Sequence, residues 1–401
     1  MLSVAEARAR IIAPLRPTPA EIVALPEAWG RVSASPIQAR LTQPPTDMSA
    51  MDGYALRAVD GRAGARLALA GHAPAGRPFT GQIGANQTVR LFTGSVVPDG
   101  ADCVLPQEDV ERDGGWITVR EAAQAGRHIR RAGQDFRQGD TLVPGGVRLG
   151  ARAIGLIAAG NHPWIAVHRQ PRIAILATGD EVVLPGEPLA VGSIVSSNAH
   201  ALAALVRAGG GVPVVLPIAP DDPAAIASVA DRLSGIDLLL TTGGASVGEH
   251  DLVQASLATR GFNLDFWRIA MRPGKPLLFG QLGDVPVLGL PGNPVSAFVC
   301  AVLFLLPALA RLGGLPGHAA PAIEARLAAP VTANDHRADY LRATLSTDQA
   351  GGLVATPFDR QDSSLLQVLA SAGCLVLRAP HAPALPAGTA VSVLRLDGIG
   401  L

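Results

Sequence analysis

Between Ile173 and Leu290 three short apolar runs, Ile173–Ala177, Ile236–Leu240 and Val285–Leu290, each break at the carboxyl end into a loop rich in glycine, acid or hydroxyl. Apolar runs of this length, alternating with helix-length segments, specify a mostly parallel sheet with helices packed on it. The helices are expected at Ala199–Ala208 and Pro223–Leu233, with a strand at Val212–Leu216 between them. The second helix is well marked. Asp222 stands at the N-cap, proline follows at the first helical position, Ile226, Val229 and Leu233 keep helical spacing, and Ser234-Gly235 ends it. Ligands of such sheets bind beyond the carboxyl ends of the strands. Function is therefore expected at the three loops.

The first loop is Thr178-Gly179-Asp180-Glu181, the second runs from Thr241 through Gly243, Gly244 and Ser246 to Glu249 and Asp251, and the third is Pro291-Gly292-Asn293-Pro294. Glycine lets backbone N–H groups approach an oxyanion, so the second loop reads as a phosphate cradle. Each loop alone is an ordinary tight turn; three at one sheet edge point to a ligand site. Neither the Gly-Lys-Ser/Thr phosphate loop nor the Gly-x-Gly-x-x-Gly dinucleotide fingerprint is present, which disfavours a kinase or an NAD enzyme. Asp180, Glu181, Asp221, Asp222, Glu249 and Asp251 give the carboxylate density that suits Mg²⁺ held with water and a substrate phosphate. Arg268, Arg272 and Lys275 surround the Pro273-Gly274 turn, an arrangement suited to an oxyanion. Lys275 is the single lysine among 33 basic residues. A lysine retained against that background is expected to be needed for its compact ammonium.

Outside this region the texture changes. Ser3-Val4-Ala5-Glu6 is a capping box that opens an N-terminal helix. Short β-prone runs, among them Leu67–Ala70, Val89–Phe92, Val104–Leu105 and Trp116–Val119, fill the stretch to about Asp135, with a hairpin signal at Asp113-Gly114-Gly115. From about residue 319 similar runs return. Four units are expected: residues 1–40 with 137–169 as a helical linking domain, 41–136 as a small β domain, 170–318 as the α/β domain, and 319–401 as a C-terminal β domain. Thirty-three basic residues balance thirty-three acidic ones, leaving no electrostatic footprint for nucleic acid or an anionic membrane. The uncharged run from Val285 to Ala310 is broken at Pro291-Gly292-Asn293-Pro294, so a buried core element is expected there, not a membrane span. Three well-separated cysteines and an N-terminus without a signal-type apolar run fit a cytoplasmic protein.

The segments MSAMDGYALR, RAGQDFRQGD, LATGDEVVLPG, TTGGASVGEHD, RIAMRPGKPLLFG and GLPGNPVSAF, in this order from Met48 to Phe298, resemble the motifs of the MoeA-type molybdopterin molybdenumtransferases. The family also contains the E domains of gephyrin and of plant Cnx proteins. The resemblance implies an elongated, multidomain subunit whose α/β domain is similar to the MogA-type adenylyltransferases. It further implies a homodimer with the site at the subunit interface, and possible contact with a MogA-type adenylyltransferase. The implied reaction inserts molybdate into adenylylated molybdopterin with release of AMP, in the presence of Mg²⁺.

Carried over by motif, the family's acids fall on Asp52, Asp135, Glu181, Asp221 and Asp251, its threonine on Thr93 and its C-terminal serine on Ser363. Asp221 and Asp251 would position Mg²⁺, while Asp52 and Asp135 would reach in from the partner. Lys275 and Arg272, with Ser363 and either Arg337 or Arg342, would hold molybdate; Gly243, Gly244, Ser246, Pro291, Asn293 and Pro294 would line the substrate. Alternatives are a molybdopterin adenylyltransferase, although that resemblance covers the central domain alone, and a non-catalytic carrier or scaffold. Many members carry lysine where this chain has Arg268 and Arg272. Lys275→Arg, though it conserves charge, is expected to reduce metal insertion more than Arg268→Lys does. Equal activity of the two variants would remove the single-lysine argument.

Overall fold

The architecture, that of a computed structural model, describes residues 1–243, 252–318 and 320–396. At its centre lies a six-stranded sheet whose strands are numbered β1 (Arg172–Ala177), β2 (Val212–Val215), β3 (Leu238–Thr242), β4 (Phe262–Arg268), β5 (Pro276–Leu282) and β6 (Val285–Leu290). Their order is β2-β1-β3-β6-β5-β4. The first four run parallel and β4 runs the same way, so the sheet is mostly parallel as the sequence pattern indicates, with β5 alone antiparallel to its neighbours β6 and β4. Connection length is the reason. Only Gly283-Asp284 joins β5 to β6, with Gly283 at φ +59°, and a two-residue turn closes a hairpin but not a parallel crossover.

Strand alternation divides the core. Ile173, Ile175, Leu238, Leu240, Leu288 and Leu290 face a cluster shared with the helices Asn198–Ala208 and Pro294–Leu312. Ala174, Leu176, Leu239 and Val287 face the opposite way, towards Ile226, Val229, Val253 and Leu257. The result is a three-layer α/β/α unit. The helix Pro294–Leu312 is long and apolar enough to cross a membrane, but 78% of it is buried inside the protein. It carries Pro307 through a π-helical turn at Ala301–Leu305, which accommodates the missing N–H. The helix expected over Pro223–Leu233 is capped by Asp222 as foreseen, yet it tightens to 3-10 geometry at Ser228–Arg232, where Ser228 Oγ donates back to the Ala225 carbonyl.

The helix Val4–Ile12 inserts Ala7 and Ile11 into the central core; the sequence reading had grouped it with residues 137–169. A nine-residue amphipathic helix needs an apolar face larger than its own neighbours supply, and the central helices offer one. The strands Ala20–Ala24 and Trp164–His168 pair with each other and pack with the helix Ala151–Ala159 around Val23, Ile157 and Val167.

A six-stranded sheet spans Gly53 to Val119, with the foreseen hairpin between Val110–Asp113 and Trp116–Val119. At the other end of the chain, the strands Ile323–Leu327, Ala338–Thr347, Leu353–Pro357, Cys374–Arg378 and Ala390–Arg395 close on themselves into a small barrel. The short strand Met271–Arg272, from the central unit, pairs in parallel with Ala338-Asp339 of this barrel.

Leu288 is 0% exposed on a strand with neighbours on both sides and belongs to the cluster that joins sheet and helices. Leu288→Ala is expected to cost about 2–5 kcal/mol of stability. Chemical denaturation followed by circular dichroism checks this, and a loss below about 1 kcal/mol would contradict the shared core.

Candidate functional site

The carboxyl ends of β1, β3 and β6 meet at one edge of the central sheet. Thr178 follows β1, Thr242 ends β3, and Pro291 follows β6. Thr178 N–H donates to the Thr242 carbonyl at 3.1 Å, and Asn198 Nδ2 donates to both Thr242 Oγ1 at 2.8 Å and the Gly292 carbonyl at 2.7 Å. These bonds draw three loops into one floor. Gly243, at φ +97°, fits only as glycine: a Cβ there would sit 2.5 Å from the Thr178 carbonyl oxygen. Gly292 passes close by, its notional Cβ 3.6 Å from Gly243 Cα. Bare backbone therefore lines this floor.

Above it opens a cleft of about 810 Å³, lined by Thr178, Glu181, Asn198, Gly243, Lys275, Pro291, Asn293 and Pro294 among others. Six of the residues singled out from sequence thus converge: Glu181, Gly243, Lys275, Pro291, Asn293 and Pro294. Val182, Ile194 and Val195, from the small ribbon formed by Val182-Val183 and Ile194-Val195, supply an apolar wall. Thr178 Oγ1 is buried at the cleft with no partner among the described residues. Asp180 and Asp221 stand together at the strand ends, where Asp221 N–H donates to Asp180 Oδ1 at 3.0 Å. Gly244, Ser246 and Asp251 lie outside the described residues. Among the described residues no group of three His, Cys, Asp or Glu side chains is arranged to hold a metal.

The C-terminal barrel reaches the same cleft. Ser364 lines it, while Ser363 Oγ accepts a hydrogen bond from Asn293 Nδ2 at 2.9 Å. The two arginines expected to hold an oxyanion are engaged elsewhere. Arg272 donates through Nε and Nη2 to Asp339 at 2.9 and 2.6 Å, and Arg337 pairs with Asp335, whose carboxyl it holds well below the ordinary range. Asp339 is 4% exposed, so a buried carboxylate fixes the Arg272 guanidinium. Lys275 forms no ion pair among the described residues and lines the cleft. Arg342, the alternative to Arg337, is buried and faces Gln361 rather than the cleft.

Asp52 and Thr93 lie together at one end of the N-terminal sheet, just before the strand Gly53–Leu56 and just after Gln87–Leu91. Thr93 donates to Asp52 Oδ1 from both its backbone N–H, at 2.7 Å, and its hydroxyl, at 2.8 Å. These bonds, the N–H foremost, hold the exposed Asp52 carboxyl below its usual value. Next to Thr93, Gly94 lines a cleft of about 500 Å³ together with Met48, Arg130 and Asp135. The two clefts share no lining residue.

Asn198 was not singled out from sequence, and Thr178 was named only as part of its loop. Ser196-Ser197-Asn198 reads as an ordinary helix start, and nothing local announces that Asn198 spans to Thr242 and Gly292.

Comparison with known proteins covers the whole chain. Residues 2–160 match the profile of the MoeA N-terminal region (domain I and II), residues 174–311 that of a probable molybdopterin binding domain, and residues 324–396 that of the MoeA C-terminal region (domain IV). The molybdopterin molybdenumtransferase of Haemophilus influenzae is 33% identical over 401 residues, covering 98% of each chain, and that of a Nostoc species is 38% identical over 74% of this chain and 70% of its own. A crystal structure of a molybdopterin biosynthesis MoeA protein from Pyrococcus horikoshii superposes with a TM-score of 0.87 at 28% identity, covering 99% of this chain and 100% of that one.

Because the Asp52 carboxyl is depressed, its charge persists to lower pH than that of an ordinary aspartate and is lost only as pH falls through the lowered value. Thr93→Val deletes the hydroxyl donor and keeps the N–H, so the Asp52 titration is expected to move partway back up. A carboxyl-carbon NMR titration reads this directly, and an unmoved midpoint would show that the hydroxyl contributes nothing.

Proposed function

The chain belongs to the MoeA family of molybdopterin molybdenumtransferases, a molybdenum cofactor biosynthesis enzyme by that membership, and on this premise we propose that its cleft inserts molybdate into adenylylated molybdopterin with release of AMP. The observation that carries the reading is the convergence of Gly243 and Gly292 backbone, the Glu181 carboxylate and the Lys275 ammonium on one cleft of about 810 Å³ at the strand ends. Glycine backbone offers N–H groups to a phosphate without a side chain in the way. The apolar wall of Val182, Ile194 and Val195 suits the flat pterin.

Lys275 is the cation we assign to molybdate, with Ser363 as a hydroxyl donor at the rim. Arg272 and Arg337 would act from behind it, since each already answers a carboxylate. Mg²⁺ fits the donor set. It binds through one or two carboxylates completed by water and substrate phosphate, and Asp180 and Asp221 are neighbouring acids at the strand ends, joined by the Asp221 N–H to Asp180 Oδ1 bond. Held by these acids, and by Asp251 as the resemblance implies, it would supply charge neutralisation at the phosphate linkage. Glu181 stays free to orient water or the leaving group.

The Asp52–Thr93 pair on the N-terminal sheet and Asp135 in the second cleft all lie outside the lining of the first cleft, which supports the family's dimeric arrangement, in which the N-terminal region of one copy completes the cleft of the other. A cytoplasmic setting accords with three buried cysteines, none of them in a disulfide.

Purified protein given adenylylated molybdopterin, Mg²⁺ and molybdate is expected to release AMP and form active cofactor, and to do neither at a comparable rate without molybdate. Asp221→Asn is expected to lower the rate by roughly tenfold or more and to shift the Mg²⁺ requirement upwards. Binding without AMP release would favour a carrier. Formation of the adenylate from ATP and molybdopterin would favour an adenylyltransferase.

A further inference from the structure

Arg342 is the largest fully buried side chain described, with 1% of its surface exposed. Along the barrel strand Ala338–Thr347, Leu341, Ala343 and Leu345 turn into the barrel core, while Tyr340 belongs to the central core, so Arg342 lies on the side where barrel and central unit meet. Among the described residues it has no carboxylate within ion-pair distance. A buried guanidinium without a counter-ion is unfavourable unless its donors are well used. Burial pulls its pKa down, against the opposing attraction of the Asp362 charge.

All of its assigned hydrogen bonds end on one loop. Nε and the backbone N–H both donate to Gln361 Oε1, at 3.1 and 3.0 Å, and Nη1 donates to the Asp362 carbonyl at 3.0 Å. Gln361 answers through Nε2, which donates to the Arg342 and Phe358 carbonyls at 2.9 Å each. Beyond this clamp the loop delivers its polar groups to the cleft. Asp362 Oδ1 accepts from the Ser364 N–H and hydroxyl at 2.8 and 2.6 Å, Ser363 Oγ accepts from Asn293, and the Ser363 carbonyl accepts the Val295 N–H at 3.0 Å. Ser364 lines the cleft.

We propose that Arg342 is a positioning residue: by clamping Gln361 and the Asp362 carbonyl, it holds the Ser363 and Ser364 hydroxyls in register at the rim of the cleft. It touches no substrate. Arginine is required because two side-chain donors, Nε and Nη1, must leave at the fixed angles of a planar guanidinium towards Gln361 and the Asp362 carbonyl, which an ammonium does not supply. What the serines then do rests on the function proposed above; the clamp itself does not.

The test has two arms on the full chain. In the first, amide hydrogen exchange is followed by mass spectrometry for Arg342→Met and Arg342→Lys. Peptides carrying Val295 and residues 358–366 are expected to exchange about fivefold faster or more, while the strands Cys374–Arg378 and Ala390–Arg395 keep their protection. An unchanged loop in a folded variant overturns the proposal. Arg342→Lys keeps charge and bulk, so it tests the clamp if the methionine variant does not fold.

In the second arm, molybdate-dependent AMP release is measured in a cycle. Arg342→Met is expected to lower kcat/KM by roughly tenfold to a hundredfold in the parent. In the Ser363→Ala/Ser364→Ala background it should lower it by less than about twofold, because the groups it positions are gone. Equal losses in both backgrounds would show that Arg342 acts through something else and overturn the proposal. Should the parent itself release no AMP, the reaction assignment fails, and the exchange arm still decides the clamp.

Discussion

The close approach of backbone at the ends of β1, β3 and β6 is the constraint on which the cleft depends. Parallel strands bring three carboxyl ends to the same edge, and a floor forms there only if the chain leaving them carries no side chain in the way. Gly243 meets that requirement against the Thr178 carbonyl, and Gly292 passes over Gly243. Asn198 then ties the second and third loops together, using both protons of one amide. Its two bonds cross 44 and 94 residues of sequence, so the helix it opens and the two strands become a single rigid frame. The antiparallel pair β5 and β4 extends this frame and places the Met271–Lys275 turn beside it.

That turn belongs to two units at once. Met271-Arg272 pairs with Ala338-Asp339 of the barrel, and the same residues exchange a bidentate ion pair between Arg272 and Asp339. A carboxylate as buried as Asp339 must have its charge answered, and breaking such a pair from one side leaves an uncompensated charge that typically costs about 3–5 kcal/mol. The barrel is thereby held to the cleft by backbone pairing, by this ion pair and by the contact of Ser363 with Asn293. Two rims of the cleft are thus fixed by the same domain.

Much of this was legible in the sequence because it rests on local periodicity. The apolar runs of β1, β3 and β6, the Asp222 cap and the Asp113–Trp116 hairpin each carry their signal within a few residues. The Gly283-Asp284 turn carried one too, and reading it would have made β5 antiparallel in advance. The packing of Val4–Ile12 onto the central core had no such signal, since an amphipathic face does not name its partner. Nor did the fate of the basic residues. Arg272 and Arg337 read as free cations until Asp339 and Asp335 are seen beside them, and an acid on a strand looks like a solvated group until its burial is known.

The charge balance around the cleft follows from those pairings. Arg272 and Arg337 bring two positive charges and meet two carboxylates, leaving the Lys275 ammonium as the cation that lines the cleft without an ion pair among the described residues. A compact, strongly hydrated ammonium with three rotatable donors adapts to a tetrahedral oxyanion, whereas a guanidinium demands a planar pair of acceptors. Arginine is accepted in this chain wherever its fork has a planar partner, as at Asp339, Asp335 and Asp237. The lone lysine lines the cleft, where the proposed function would bring its counter-ion with the substrate. On that function, the single lysine of the chain sits where geometry, and not charge alone, would decide what can bind.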